Sequence, residues 1–329
     1  MENFEEKIVG LSERSEEEKP DANTLDKLEK LKQIAVYRND PIKFFKEQCY
    51  IRETKKGLIK FPVFPAQEKC VNNFLRHRFN IILKSRQLGI STIVAAYCLW
   101  RCIFFSHQEI RVVATQKSTA QHIVRMAWDM LDNLPDPWIL TMLGAIQTTQ
   151  RKHTVELANG SKIQSHGQAK GENPDTGVGS SLSLLVIDEA ALIPNIDAVW
   201  TTIYPTISTG GDCIILSTPR GQDNWFYEMY DRAETKRYEE GNEPFYPMRL
   251  MWWENTDRIS PPWDKPVKSD KYPGGYINSW AKAEWSTFSM KKIAQEYCVG
   301  GQSKVTIKDK NNNIFDISID NLKDLLKNA

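Results

Sequence analysis

The sequence predicts an α/β fold with a doubly wound, mostly parallel sheet flanked by helices, and three observations predict it. From residue 81 onward, short apolar runs alternate with segments of helical character, the order that builds parallel strands joined by crossover helices. The first run, Ile81-Ile82-Leu83, passes through Lys84-Ser85-Arg86-Gln87-Leu88-Gly89-Ile90-Ser91-Thr92 into the helical Ile93-Val94-Ala95-Ala96, which is the strand, loop and helix of a phosphate-binding turn. A later run, Leu184-Leu185-Val186-Ile187, ends in two adjacent carboxylates, Asp188 and Glu189. In such sheets the ligand crevice lies at the carboxyl ends of the strands, so the chemistry belongs in the loops that follow them.

Composition sets the frame. A chain of 329 residues is near the limit for one core, so one large domain with an appendage, or two domains, is expected. Hydrophobic content of 41%, charged content of 26% and a formal charge of +1 are ordinary for a soluble globular protein and announce no global nucleic-acid affinity; a local basic face stays open. The six cysteines, Cys49, Cys70, Cys98, Cys102, Cys213 and Cys298, form no C-x-x-C pair and carry no histidine pattern, so neither a zinc site nor a disulfide framework is indicated. Met1 is followed by acidic and polar residues, and no apolar run approaches membrane-spanning length, which points to an intracellular, soluble protein.

Taken in order, residues 1–40 read as a charged arm ending in a surface helix with apolar spacing at Leu25, Leu28, Leu31 and Ile34. Asp40-Pro41 starts a second helix through Phe44 and Phe45. Phe61-Pro62-Val63-Phe64-Pro65-Ala66-Gln67 then precedes a helix bearing Val71, Phe74 and Leu75. An amide at such a helix start can bond both edges of adenine while aromatics or prolines cover its face, which makes Gln67 the candidate adenine reader; the plain alternative is a glutamine facing water. Ile110-Arg111-Val112-Val113-Ala114-Thr115 is a second strand and Cys213-Ile214-Ile215-Leu216 a third, the latter ending in Ser217-Thr218-Pro219. Thr154 to Ile163 reads as a hairpin with its turn at Asn159-Gly160, and 167–181 as a loop rich in Gly, Ser, Asn and Asp.

The phosphate loop departs from the standard G-x-x-x-x-G-K-[ST]. Gly89 and Ser91 fit, but Lys84 stands at the first glycine and Ile90 at the lysine. A loop that holds ATP needs a cation, so Lys84 or Arg86 must supply the missing ammonium. A hydroxyl such as Ser91 completes a Mg2+ shell, Asp188 at a strand tip holds the same ion, and Glu189 polarises a water in line with the terminal phosphate. Adjacent carboxylates behind four apolar residues are costly to bury without a metal or a basic group beside them. Ser217 and Thr218 either sense the terminal phosphate or cap a turn.

These pieces resemble the large terminase subunit of tailed bacteriophages over roughly residues 40–297. The resemblance rests on the Gln67 motif, the deviant loop Lys84 to Thr92, Val186-Ile187-Asp188-Glu189-Ala190-Ala191 and Leu216-Ser217-Thr218-Pro219. It implies a P-loop ATPase motor core over 41–244, similar in fold to DExx-box translocases, and a small helical lid subdomain over 245–297 with a helix at 289–297. It implies ATP and Mg2+ as cofactors: Gln67, Lys84, Ser85, Arg86, Gln87, Gly89, Ser91 and Thr92 hold the nucleotide, Ser91 and Asp188 the metal, Arg86 and Glu189 act in catalysis, and Ser217 and Thr218 couple hydrolysis to movement. The implied function is ATP-driven packaging of double-stranded DNA into a procapsid. The implied partners are the portal and the small terminase subunit, in a homo-oligomeric ring in the cytoplasm of an infected bacterial host, with no membrane and no stable place in the virion. A second reading is a helicase-like or DNA-binding scaffold whose altered loop holds nucleotide without hydrolysing it.

Residues 298–329 break from what precedes them. Cys298-Val299-Gly300-Gly301-Gln302-Ser303-Lys304-Val305 opens two alternating runs across Asn311-Asn312-Asn313, a β-rich piece whose apolar face lacks a complement. It resembles the N-terminal fragment of a split intein, with Gln302 and Ser303 in place of the usual acidic residue and threonine. The resemblance implies Cys298 as splicing nucleophile and a complementary C-terminal intein fragment, carrying the nuclease domain that this chain is expected to lack, as partner.

Overall fold

In the structure, a computed structural model, residues 22–151, 154–167, 181–236, 245–269, 276–286, 304–308 and 314–318 are described. The expected loop at 167–181 falls almost wholly outside these residues, as do the helix at 289–297, Cys298 and the Asn311 turn. Contacts divide the chain at Asp40 into two units, residues 1–40 and 41–329. In the first, the described part is α1 (Ala22–Asn39), with an i,i+4 ion pair between Lys30 and Asp26.

The second unit opens with α2 (Pro41–Gln48), the hairpin β1 (Tyr50–Glu53) and β2 (Gly57–Lys60), and α3 (Pro65–Arg76). There follow β3 (Phe79–Lys84), α4 (Ile90–Phe104), β4 (Glu109–Ala114), α5 (Lys117–Asp132), α6 (Trp138–Leu143), β5 (Gln147–Arg151), β6 (Thr154–Leu157) and β7 (Lys162–Gly167). Then come β8 (Leu184–Asp188), α7 (Ile196–Ser208), β9 (Asp212–Ser217), α8 (Trp225–Lys236) and β10 (Phe245–Leu250). Eight strands make one sheet in the order β10-β3-β9-β8-β4-β7-β6-β5. The strands from β10 to β7 are parallel, and β6 and β5 add an antiparallel edge. This is the doubly wound, mostly parallel sheet that the alternating pattern predicts, including the hairpin turned at Gly160, whose φ is 81°.

The strand sequences show why the sheet is covered on both faces. Successive side chains point to opposite sides, and Ile81, Leu185, Ile187, Cys213 and Ile215 join one core with Val199, Ile203 and Ile207 of α7 and Phe226 and Met229 of α8. Their neighbours Ile82, Val186, Ile214 and Leu216 are equally buried on the other side, so the strands read as continuous apolar runs rather than alternations. α4 matches this environment: its apolar residues run round the whole helix, and nearly all of them, Ile93 through Leu99 included, are inaccessible. The loop of residues 85–89 is thus mounted between a largely buried strand and a largely buried helix.

One expected boundary moves. Phe245–Leu250, expected to open the small subdomain, is the edge strand of the main sheet, parallel to β3 with Pro247 opposite Ile81. Proline fits there because an edge strand has one side without ladder partners. The segment after it carries short 3-10 turns at Trp252–Glu254 and Thr256–Arg258, the two-residue strands β11 (Val267–Lys268) and β12 (Tyr276–Ile277), and α9 (Ser279–Trp285). Trp252, Ile277, Ala281 and Trp285 form its own small core, with Trp252 edge-on to Trp285. Finally β13 (Lys304–Lys308) and β14 (Ile314–Ser318) pair antiparallel.

Among the described residues no helix is long and apolar enough to cross a membrane. The five described cysteines are free and buried, and burial pushes their thiols up, Cys98 to about 12, which marks them as packing groups. Leu99, inaccessible in α4, sets a direct test of this core: Leu99→Ala should lower unfolding stability by about 2–5 kcal/mol in a urea titration, with the transition remaining cooperative.

Candidate active site

Parallel pairing brings four strand tips to one line. In register, Leu250 lies opposite Lys84, Leu83 opposite Ser217, and Leu216 opposite Asp188, so the ends of β10, β3, β9 and β8 lie in sequence along one edge of the sheet. The phosphate loop leaves β3 at this edge and enters α4 at Gly89, whose φ of 66° is left-handed. A Cβ at Gly89 would stand 2.4 Å from Nε2 of Gln67, so both conformation and space require glycine.

Asp188 is 3% exposed at the tip of β8. Its Oδ2 accepts from the Ser91 hydroxyl at 2.9 Å, and its Oδ1 accepts from the Glu189 N–H at 2.8 Å and faces Lys84 Nζ at 3.6 Å. A carboxylate taken out of water needs this surrounding of donors and positive charge. Ser91 and Asp188 together offer the hard oxygen donors that suit Mg2+, and no group of three metal-ligating side chains occurs among the described residues.

Glu189 follows at φ 55°, a left-handed conformation that costs a side-chain-bearing residue about 1–3 kcal/mol. The chain turns there into the 3-10 turn Ala190–Leu192, closed by Leu192 N–H on the Glu189 carbonyl at 2.8 Å. The Ala191 N–H donates to the hydroxyl of Ser217 at 3.1 Å, and that hydroxyl donates to the Thr218 carbonyl at 2.9 Å. The inaccessible Ser217 therefore ties the turn after β8 to the end of β9.

Residues 81–313 match the family described as terminase large subunit, T4likevirus-type, N-terminal, which is well over half of the chain. The chain belongs to that family. A curated terminase large subunit from Thermus phage G20c is 44% identical over 61 residues, 18% of this chain, and the match spans only 12% of that relative's length. The fold is shared with the large terminase ATPase domain of Thermus phage P74-26, at a TM-score of 0.50 and 19% identity over 68% of this chain and 88% of that one. It is also shared with the large terminase of bacteriophage D6E in complex with ADP, at 0.51 and 13% identity over 73% and 53%. The family match runs to residue 313 and so crosses position 298, where the sequence suggests a foreign tail.

Against this terminase frame, the expected site residues divide. Lys84, Ser91, Asp188 and Glu189 come together, with Ser217 and Thr218 one strand away. Arg86 and Gln87 are exposed on the loop. Gln67 departs from the adenine-reading expectation: its Oε1 accepts from Phe64 N–H at 2.9 Å, and its Nε2 donates to the carbonyls of Leu88 at 3.3 Å and Gly89 at 3.0 Å. At 1% exposure this amide is committed to the helix start and the loop, and reading a base would require releasing both donor bonds. Thr92 donates its hydroxyl to the Met126 sulfur at 3.6 Å, and Ser85 is buried, its N–H donating to the Leu250 carbonyl at 2.9 Å. Two residues unmarked in the sequence join the site from the segment after β10. Asn255 Nδ2 donates to Gln87 O at 2.9 Å, and Arg258 donates to Arg86 O at 2.8 Å.

The Gly89–Gln67 contact is testable by a double-mutant cycle. Gly89→Ala should destabilise by about 1–2 kcal/mol through the left-handed φ alone, and further through the clash. Combined with Gln67→Ala, which removes the clashing amide, the loss in chemical denaturation should fall short of the sum of the single losses by about 1 kcal/mol.

Proposed function

We propose that this chain contains the ATP-hydrolysing motor of a phage DNA-packaging terminase. The observation that carries the reading is the meeting of Ser91, Lys84 and Asp188 at the tips of β3 and β8. A phosphate loop, a carboxylate pair and a connecting strand between them are the minimum a nucleotide hydrolase of this architecture needs. The ADP complex of the D6E relative, which has the same fold, supports the same use of the crevice.

Each residue then has a task. Lys84 supplies the ammonium that Ile90 cannot, since it is already inside the site and 14% exposed at its side chain, while Arg86 on the outer loop is the second cation for phosphate oxygens. Lys84, beside Asp188, would offer its charge to a bound phosphate, and Ser91 and Asp188 would be the protein's oxygen ligands for Mg2+. The ion, when bound, neutralises charge on the phosphate chain. Glu189 orients the attacking water. The Ser217 bridge transmits displacement of the Glu189 turn to β9 and to Thr218. Double-stranded DNA is the track, the portal and small terminase subunit are the partners, and a ring of copies in the infected cell is the working assembly.

Glu189→Gln should reduce steady-state ATP turnover by at least about 100-fold while ADP binding stays within about twofold of wild type; Lys84→Ala should weaken nucleotide binding itself. A wild-type chain that binds ATP and releases no phosphate would favour the scaffold reading instead.

A second reading is supported by the antiparallel pairing of β13 and β14, the two-strand arrangement expected of an intein-like fragment. In it the Cys298 sulfur attacks the Tyr297 carbonyl. A C–S bond forms, the C–N bond to Cys298 breaks, and the thiol proton ends on the released amine, leaving a thioester. Mixing the chain with a C-terminal intein fragment should give a ligated product ending the motor at Tyr297, and Cys298→Ala should abolish it; ligation that survives the substitution would overturn the assignment.

A further inference from the structure

The phosphate loop is held by its carbonyls from outside. Four consecutive carbonyls accept side-chain hydrogen bonds: Arg86 O from Arg258 at 2.8 Å, Gln87 O from Asn255 at 2.9 Å, and Leu88 O and Gly89 O from Gln67 at 3.3 and 3.0 Å. In a planar trans peptide the N–H points opposite the C=O. Each bond therefore turns the next residue's amide away from its donor, and the amides of Gln87, Leu88, Gly89 and Ile90 are oriented as a set. Backbone amides aligned in this way are what a phosphate loop presents to its ligand.

Half of that alignment comes from the segment after β10. Arg258 is 3% exposed, its guanidinium lies 4.5 Å over the Trp280 ring, and a second contact reaches Gln87 Oε1 at 3.3 Å. Its own carbonyl is fixed by Asn278 Nδ2 at 2.7 Å, and the Asn278 Oδ1 caps α9 at Ala281 N–H, 2.9 Å away. Asn255 has two separate functions: Oδ1 accepts from Asp257 N–H at 2.9 Å and shapes the local turn, while Nδ2 reaches the loop. A planar fork that stacks on one face and donates along its edges is a task specific to arginine rather than to any cation.

We propose that Arg258 and Asn255 are positioning residues for nucleotide binding, which set the amides of Gln87 and Leu88 and so make the affinity of the loop for a nucleoside di- or triphosphate depend on the segment after β10. The inference rests on the reading of this loop as the nucleotide site. It assigns these two side chains no contact with the ligand. Their effect passes through the peptide groups of Arg86–Gln87 and Gln87–Leu88.

The test uses the full chain with Arg258→Lys and Asn255→Ser. Lysine keeps the charge but cannot stack and serve two acceptors as a fork, and serine keeps a turn-capping oxygen but falls short of Gln87 O. In the nucleotide-free protein, hydrogen exchange should quicken about tenfold at the Gln87 amide in Arg258→Lys and at the Leu88 amide in Asn255→Ser, while β3 and α4 exchange as in wild type. The Kd for Mg-ADP by calorimetry should rise about tenfold, with Tm lowered by less than ~4 °C. Unchanged exchange at Gln87 and Leu88, or an equal rise across β3 and α4, would overturn the clamp. Faster loop exchange with an unchanged Kd would overturn its role in binding. A wild-type chain that bound no ADP would count against the nucleotide reading, and the exchange measurement, which needs no nucleotide, would still decide the clamp.

Discussion

A carboxylate kept from water at the tip of a buried strand is the constraint around which this fold is arranged. Asp188 is satisfied from three directions, by a hydroxyl from the start of α4, an ammonium from the end of β3 and the amide of the next residue. Two of these donors come from a strand and a helix far from Asp188 in sequence. The arrangement holds only if β9 lies between β3 and β8 in the observed register. A slip of one residue in either pairing would reverse the facing of every side chain along that strand and leave the charge among apolar groups.

The same register explains how the parts of the site can act on one another. Ser217 ends the intervening strand and bonds to the turn behind Asp188, while β10, on the far side of β3, leads into the residues that hold the loop. The loop therefore has α3 on one side through Gln67, the carboxylate strand through Ser91 and Lys84, and the post-β10 segment through Asn255 and Arg258. Few of these bonds involve exposed pairs, which would count for little; most are to backbone carbonyls or to a buried acid, where an unmet partner is costly.

Much of this was legible in the sequence because its signals are local. Apolar runs of four to six residues, the Asn159-Gly160 turn and the carboxylates behind Ile187 each declare themselves within a short window. What was not legible depends on partners distant in the chain. Gln67 reads the same whether it meets a base or the Gly89 carbonyl, and only the folded position of α3 decides. β5 carries too little apolar character to mark a strand, and its pairing with β6 makes it one. β10 reads as the start of a separate subdomain, although Pro247 in a run of mostly apolar and aromatic residues is a usable sign of an edge strand. Arg258 lies among tryptophans and charged residues that suggest surface, and nothing local to it reveals that it is buried against a ring.

β10 does more than widen the sheet. The Leu250 carbonyl accepts from Ser85 N–H, and the chain beyond Leu250 returns to the loop at Asn255 and Arg258. The loop is thus slung between neighbouring strands, like a hammock between two posts, rather than standing as a flag on one. Such a suspension is insensitive to the two posts moving together and tilts when one slides along the other, so shear at this border of the sheet would be felt first by the loop.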